Sequence, residues 1–331
     1  MYTLKNKVIL ITGGTGSFGK ACVKKILDEH DPKAIRIYSR DELKQWEMQR
    51  EFNSDKLRFL IGDVRDAERL TRACEGVDVV IHAAALKQVP ACEYNPMEAV
   101  KTNINGAMNV INAALDNNVD KVIALSTDKA AGPVNIYGAT KLASDRLFIQ
   151  SNSYRGPMRD TQFSVVRYGN VMGSRGSVIP LFRKQRETGT VTITDKRMTR
   201  FWITLPQAVD FVLSSLAVMQ GGELFVPKIP SMTMLELAKT IAPKAKIKMI
   251  GIRPGEKLHE WLISPGEART GLEMKDRYII LSESQDGWSH DMSRYPAARK
   301  VKEGFEYNSR DNKSYLSTKA MLALLNELDL A

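Results

Sequence analysis

Short, uniformly apolar runs alternate with amphipathic stretches through the first half of the chain. Val8-Ile9-Leu10-Ile11-Thr12 stays apolar until its end and predicts a strand buried on both faces. Phe18 to Asp28 then repeats apolar residues at helical spacing. The same rhythm predicts strands over Ala34 to Tyr38, Leu57 to Ile61, Val77 to His82 and Lys121 to Ser126, the last after a long helix through Ala113. Continuous apolar strands separated by helices imply a parallel sheet covered on both faces, so the expected class is α/β with a doubly wound sheet.

Beyond Tyr168 the rhythm changes. Gly169 to Thr204 reads as loop-rich and basic, whereas a helix over Pro206 to Val218 and a strand over Glu223 to Val226 return to the sheet pattern. Thr233 to Ile241 and Thr318 to Leu328 read as helices, and the polar tail from Ser282 onward carries little pattern. The expected division is a main domain over 1–168, completed by about 203–228, with 169–202 and 229–331 forming a smaller discontinuous lobe.

Composition narrows the function. With 43% hydrophobic residues in 331 there is enough apolar material for a continuous core. No apolar run is long enough to cross a bilayer, and Met1 to Lys5 leads straight into a strand, so neither a membrane span nor a signal peptide is expected. Cys22, Cys74 and Cys92 lack zinc or disulfide spacing; Cys22 and Cys74 read as small core residues, which suits a reducing cytoplasm. The net charge of +10 is scattered, with no basic block interleaved with aromatics, which argues against nucleic acid and for small anionic ligands. No His/Cys/carboxylate cluster suggests a metal.

The first strand opens into Thr12-Gly13-Gly14-Thr15-Gly16-Ser17-Phe18-Gly19. Gly13, Gly16 and Gly19 form GxxGxxG, and Gly14 in place of Gly13 gives GxGxxG. Either reading serves a tight turn, close approach of backbone to a pyrophosphate, and a helix N-terminus facing it. Thr15, Ser17 and Phe18 complete that loop. NAD-binding chains place an acid about twenty residues further on, at the ribose hydroxyls, whereas an Arg accommodates a 2′-phosphate. Here Ser39, Arg40 and Lys44 favour NADP over NAD, with Asp41 a competing acid one position late. Asp63 and Val64, after the third strand, are placed for the adenine, although Asp63 could equally cap the next helix. Ala83, Ala84 and Ala85 are small enough for backbone to lie against the cofactor, and His82 before them reads as a packed strand residue.

The fifth strand ends in Ser126-Thr127-Asp128-Lys129, and Tyr137 and Lys141 follow, four apart on one helical face. An ammonium beside a phenol should lower its pKa, so that Tyr137 takes a hydroxyl proton near neutrality; Thr127 supplies an orienting hydroxyl.

The segments TGGTGSFG, SRDELK, HAAALKQVP, LSTDKA, NIYGATK, RYGNV and RPGEKLHE resemble the extended short-chain dehydrogenases. Within them they are similar to the inverting UDP-N-acetylglucosamine 4,6-dehydratases of pseudaminic acid biosynthesis. The resemblance spans nearly the whole chain and is weakest beyond Ser282. It implies a Rossmann fold, and Lys129 stands where C5-retaining hexose dehydratases usually carry Glu. The chemistry it implies is C4 oxidation, elimination of water across C5–C6 and hydride return to C6, with inversion at C5. Lys129 would be the C5 base if its pKa is depressed, and Asp128 the acid for the departing hydroxyl if its pKa is raised. Arg200 and Arg253 are the candidate diphosphate ligands, because a guanidinium offers planar paired donors. By resemblance Asn170 and Glu256 line the nucleotide pocket and Lys87 reaches toward the sugar; His259 reads as exposed. The implied partner is UDP-N-acetylglucosamine or a similar UDP-sugar, and the implied assembly a cytoplasmic homo-oligomer, dimer or hexamer. The rival readings are an NDP-sugar 4-epimerase, which needs no elimination pair, and a non-catalytic dinucleotide-sensing regulator.

Overall fold

The computed structural model describes residues 2–154, 160–174, 176–282 and 290–330; part of the loop-rich stretch and of the polar tail lies outside them. The first half is built as β1 (Val8–Thr12), α1 (Ser17–Glu29), β2 (Ala34–Ser39), α2 (Glu42–Phe52), β3 (Leu57–Ile61), α3 (Ala67–Cys74) and β4 (Val79–His82). Two short helices, α4 (Val89–Tyr94) and α5 (Pro96–Val100), run through a π-helical turn at Lys101–Asn105 into α6 (Gly106–Asp116). Then come β5 (Lys121–Thr127), α7 (Ile136–Gln150) and β6 (Gln162–Tyr168). These strands lie in the order β3-β2-β1-β4-β5-β6, all parallel. Strand order reverses between β1 and β4, which opens a crevice at their C-terminal ends, the place where such sheets bind ligands. The apolar strands sit in the core: β1 and β4 bury every residue, and Cys22 and Cys74 pack beneath the sheet as small apolar groups.

The second half holds β7 (Asn170–Val171), α8 (Val178–Glu187), β8 (Thr190–Ile193), β9 (Thr199–Ile203), α9 (Leu205–Val218), β10 (Leu224–Pro227), β11 (Ser231–Thr233), α10 (Met234–Ile241) and β12 (Lys246–Met249). β13 (Trp261–Ile263), β14 (Gly271–Glu273), β15 (Arg277–Ile280), β16 (Arg299–Lys300), β17 (Tyr307–Asn308) and α11 (Thr318–Glu327) complete the order. β10 joins the main sheet parallel to β6, and β15, β14 and β16 extend it antiparallel. Residues 271–280 and 299–300, expected in the smaller lobe, therefore belong to the main sheet. Strands of two to four residues carry too little alternation to be read from sequence.

The stretch from Gly169 to Thr204 also differs from expectation, because it contains β7, α8, β8 and β9. Pro180 falls in the first turn of α8, where its missing N–H costs nothing. A second core gathers Ile179 and Phe182 from α8 with Trp202, Met232, Leu237, Met321 and Leu325. Among the described residues no helix is long and apolar enough to cross a membrane.

Candidate functional site

After β1 the chain turns at Gly13, whose φ of +67° suits glycine, and a Cβ there would lie 2.9 Å from the Ala84 amide nitrogen. A Cβ on Gly19 would fall 2.3 Å from the Gly14 carbonyl oxygen, so α1 packs on its own loop only because that position is glycine. α1 begins after Gly16 with no side chain capping it. Its first-turn N–H groups and positive dipole end are thus arranged as a phosphate receptor. Thr15 is buried beside it, with Ser17 and Phe18 half-buried at the helix start. Opposite, Ala84 N donates to Thr12 Oγ1 at 3.3 Å; Ala83 and Ala84 are half-buried and Ala85 exposed. The cradle a Cβ would fill and the uncapped helix fit a dinucleotide pyrophosphate.

At the far end of the crevice, Ser39 Oγ accepts from Gln45 Nε2 at 3.0 Å, and Arg40 extends into solvent with Nη1 3.7 Å from Asp63. Asp41 serves as the N-cap of α2, accepting from Lys44 N at 3.0 Å, and the Lys44 ammonium pairs with it. Helix α3 is capped by Asp66 and not by Asp63. Burial pushes the Asp63 carboxyl up, but hydrogen bonds and charge from Arg65 outweigh it and hold the pKa below the usual range. Val64 is buried against Gly106.

β5 delivers Thr127 to the C-terminal edge of the sheet, and a 3-10 turn over Asp128–Ala130 carries the next two residues. Asp128 is 1% exposed; its Oδ1 accepts from Lys129 Nζ at 2.9 Å and Thr127 Oγ1 at 3.1 Å, while its buried Oδ2 has no partner. Burial raises the Asp128 pKa; Lys129 opposes and Glu260 adds to the rise. Lys129 runs against expectation. Burial lowers it, but the carboxylates of Asp128 and Glu260, the latter 3.6 Å away, more than reverse this and hold the ammonium above the ordinary lysine range.

The turn meets α7 closely because residue 138 is glycine: a Cβ there would sit 2.2 Å from the Lys129 carbonyl oxygen. Asn135 caps α7 by accepting from Gly138 N at 2.7 Å, and its Nδ2 donates to Gly255 O at 2.7 Å, tying the helix to the RPGEKLHE segment. Tyr137 is buried, and burial pushes its phenol up to about 12 despite the charge of Lys129 and a hydrogen bond with Thr127. The phenol therefore lies above its ordinary range and not near neutrality as the spacing suggested, because burial outweighs the charges that oppose it, Lys129 first among them. Lys141 is itself buried and lowered by that burial, against the pull of Asp145 one turn on.

Three supporting residues left no recognisable sequence signal. Asn103, on the π-helical turn, donates from Nδ2 to Leu86 O and Thr140 Oγ1 at 3.0 Å each and accepts from Leu86 N at 2.8 Å. It ties the segment after Ala85 to α7 between Tyr137 and Lys141. Below, Asp145 accepts from Ser126 Oγ at 2.7 Å and from Arg167 Nη2 at 3.2 Å, and Arg167 also pairs with Glu267 at 2.9 Å.

His82 is a packed strand residue, its Nδ1 2.8 Å from Thr12 Oγ1. Burial, with the nearby Lys141 charge, drives its pKa down to about 3. An unfolded histidine titrates near 6.5, so below that pH the unfolded chain binds the proton more readily and stability falls on acidification; above it the contribution is complete. His82→Asn should flatten the stability-versus-pH curve between pH 7 and 5 relative to the parent, by up to ~1.4 kcal/mol per pH unit. Denaturant titrations with equal slopes for both proteins would contradict this.

In the substrate lobe, Arg200 is buried and its guanidinium engages protein: Nη1 donates to Thr199 O at 2.7 Å and Leu258 O at 3.3 Å, and Nη2 to Lys257 O at 3.0 Å. Arg253 is exposed, with Nη1 3.8 Å from Glu256 Oε1. Asn170 is half-buried on β7 beside β9. Lys87 is exposed after β4, with enough protein around its ammonium to lower its pKa by desolvation. His259, expected exposed, is half-buried, with Nδ1 2.8 Å from Thr199 Oγ1. The RPGEKLHE segment also brings two groups not anticipated. Lys257 Nζ donates to Ala131 O at 2.6 Å, and Glu260 is almost fully buried beside Lys129.

The family model described as polysaccharide biosynthesis protein matches residues 9–282. An inverting UDP-N-acetylglucosamine 4,6-dehydratase of Campylobacter jejuni subsp. jejuni is 53% identical, with 99% of each chain covered. A UDP-glucose 4-epimerase of Rickettsia conorii is 47% identical over 85% of this chain and 84% of its own. Among solved structures, Pen from Bacillus thuringiensis matches with a TM-score of 0.91 at 40% identity, covering 100% of both chains.

Proposed function

The chain belongs to the polysaccharide biosynthesis protein family, and from that premise we propose that it is a UDP-N-acetylglucosamine 4,6-dehydratase that inverts C5. The observation that carries this reading is the pair of buried Asp128 and half-buried Lys129, 2.9 Å apart beside Tyr137. A 4-epimerase has no use for such a pair; elimination needs both members.

A nicotinamide dinucleotide held on the Gly13–Gly19 loop would supply reversible hydride acceptance, which would let C4 be oxidised and C6 reduced with no net redox change. Arg40 and Lys44, with Ser39 beside them, would favour the 2′-phosphorylated form, and Asp63 and Val64 would hold the adenine. Tyr137 takes the 4-hydroxyl proton, oriented by Thr127, while Lys129 and Lys141 keep positive charge near the phenol. Next to a C4 ketone the C5 proton is acidic. Moving one proton across the Lys129–Asp128 hydrogen bond turns ammonium and carboxylate into amine and carboxylic acid without changing net charge. The amine then takes the C5 proton, the acid protonates the departing C6 hydroxyl, and water leaves. That step restores the ion pair; hydride return to C6 would be matched by one exchangeable proton taken up at C5, and Tyr137 gives back the proton it took from the 4-hydroxyl, so protons balance over the cycle. Arg253 and Glu256 at the surface, Asn170, and the Arg200 charge behind them serve the UDP moiety, with Lys87 toward the sugar.

The Rickettsia relative favours 4-epimerisation as the second reading. Incubation with UDP-N-acetylglucosamine in heavy water separates the two. Dehydration yields a 4-keto-6-deoxy sugar carrying deuterium at C5, seen by mass spectrometry and proton NMR. A C4 epimer that retains its C6 oxygen would overturn the proposal.

A further inference from the structure

Lys129 has two carboxylate neighbours, and the reaction uses only one of them as an acid. The other, Glu260, ends the RPGEKLHE segment and is 2% exposed. Its Oε1 lies 3.6 Å from Lys129 Nζ and 3.8 Å from Arg200 Nε, and its Oε2 lies 3.4 Å from Lys257 Nζ. Its backbone is pinned at both ends: Glu260 N donates to Ser309 Oγ at 2.9 Å, and Ser309 N donates to Glu260 O at 2.9 Å. Ser309 in turn is buried against Thr199. The carboxylate therefore has a place among three cations, whereas among the described residues Asp128 pairs with one; each carboxyl keeps one buried oxygen without a hydrogen bond.

We propose that Glu260 is a positioning residue whose permanent negative charge holds Lys129 Nζ in place and stabilises the ammonium that forms when the amine takes the C5 proton. This rests on the dehydratase reading for the step it serves, but the charge relation with Lys129 stands without it. When Asp128 holds a proton it stops neutralising Lys129, and Glu260 is the carboxylate that remains. Three cations surround Glu260, so it keeps its charge throughout, and their influence outweighs the burial that would otherwise protonate it. A base oriented by a third, fixed group is a recurrent solution in catalysis. The groups that share this field are Asp128, Lys129, Arg200, Lys257, Glu260 and Tyr137.

The active state of the Asp128–Lys129 pair holds one proton, so turnover should be bell-shaped in pH, with limbs that belong to the pair. Removing a negative charge makes both protonations harder, and both limbs should move to lower pH. Full-length Glu260→Gln and Glu260→Asp are compared with the parent in two assays. One is the pH profile on UDP-N-acetylglucosamine; the other is trace acetylation of Lys129 against pH, read by peptide mass spectrometry, which needs no sugar. The Lys129 side chain is 23% exposed and so within reach of reagent.

Glu260→Gln should shift both limbs and the labelling midpoint down by about one pH unit or more and lower kcat roughly 100-fold, with KM within about 3-fold. Glu260→Asp, which keeps the charge, should hold the parental limbs and midpoint. A Glu260→Gln protein with parental limbs and labelling overturns the proposal, as does an equal shift in Glu260→Asp. If Glu260→Gln fails to fold, Ser309→Ala loosens the same carboxylate; it should move the midpoint down by a smaller amount, and an unmoved midpoint counts against the idea. A parent that makes no 4-keto sugar defeats the dehydratase reading alone, and the labelling still decides the role of Glu260.

Discussion

Lys129→Ala should yield a folded protein that binds dinucleotide and UDP-sugar, oxidises C4 at a reduced rate for want of the ammonium beside Tyr137, and stops there. Elimination should fall by at least ~10³-fold, the upper part of the range for loss of a positioned general base, because among the described residues no other lysine pairs with Asp128. Tyr137→Phe should instead stall the preceding step. The two are told apart by reduced-nicotinamide absorbance, which accumulates with substrate in Lys129→Ala but rises slowly in Tyr137→Phe. The lysine variant should also keep its fold, for a physical reason. Removing one partner of a buried ion pair commonly costs ~3–5 kcal/mol, but only if the other stays charged. Asp128 already sits above its ordinary pKa through burial and takes a proton instead, while Glu260 retains Arg200 and Lys257. A loss of about 1–2 kcal/mol is expected, as for a lost hydrogen bond. Turnover within 10-fold of the parent, in an NMR time course, would remove Lys129 from the chemistry.

Arg167→Met should be the most destabilising single change near the site. The guanidinium is 1% exposed on β6, pairs with Asp145 and Glu267, and donates to Leu262 O at 3.1 Å. Without it two buried carboxyls lose the cation they share, a loss of ~3–5 kcal/mol and, for a chain of this size, a fall in Tm of roughly 4–8 °C. The pH dependence gives a sign to check. Glu267 is now held below its usual range: burial raises it, and Arg167 more than offsets that. In the variant both carboxyls should have folded pKa values above their unfolded ones, so stability is intact below the unfolded values and lost as pH rises through the folded ones. The deficit should therefore widen from pH 5 to pH 8. A variant melting within about 1 °C of the parent at pH 8 would show that the network carries no net stability.

How much of this was legible follows from how far each feature depends on distant residues. Strands β1 to β5, the glycine loop, and the placement of Thr127, Asp128, Tyr137 and Lys141 were all readable, whereas β6 was not. Each rests on local period, on missing side chains, or on two residues one helical turn apart. The buried state of Cys22, Cys74 and His82 was readable for the same reason, since an apolar run already fixes which positions face inward.

Only the tertiary structure decided the electrostatics. The rise of the Lys129 pKa owes most to Asp128, its neighbour in sequence, and next to Glu260, which folding brings from the far end of the chain and Ser309 holds by its backbone. Arg200, expected to face a diphosphate, is drawn onto three backbone carbonyls by the packing of β9 against that segment. The network of Asp145, Arg167 and Glu267, and the short strands β14 to β16, likewise depend on neighbours that no spacing announces. Periodicity is a property of one segment and survives in one dimension; a charge's pKa is set by whatever lies within a few ångströms, and only folding determines that.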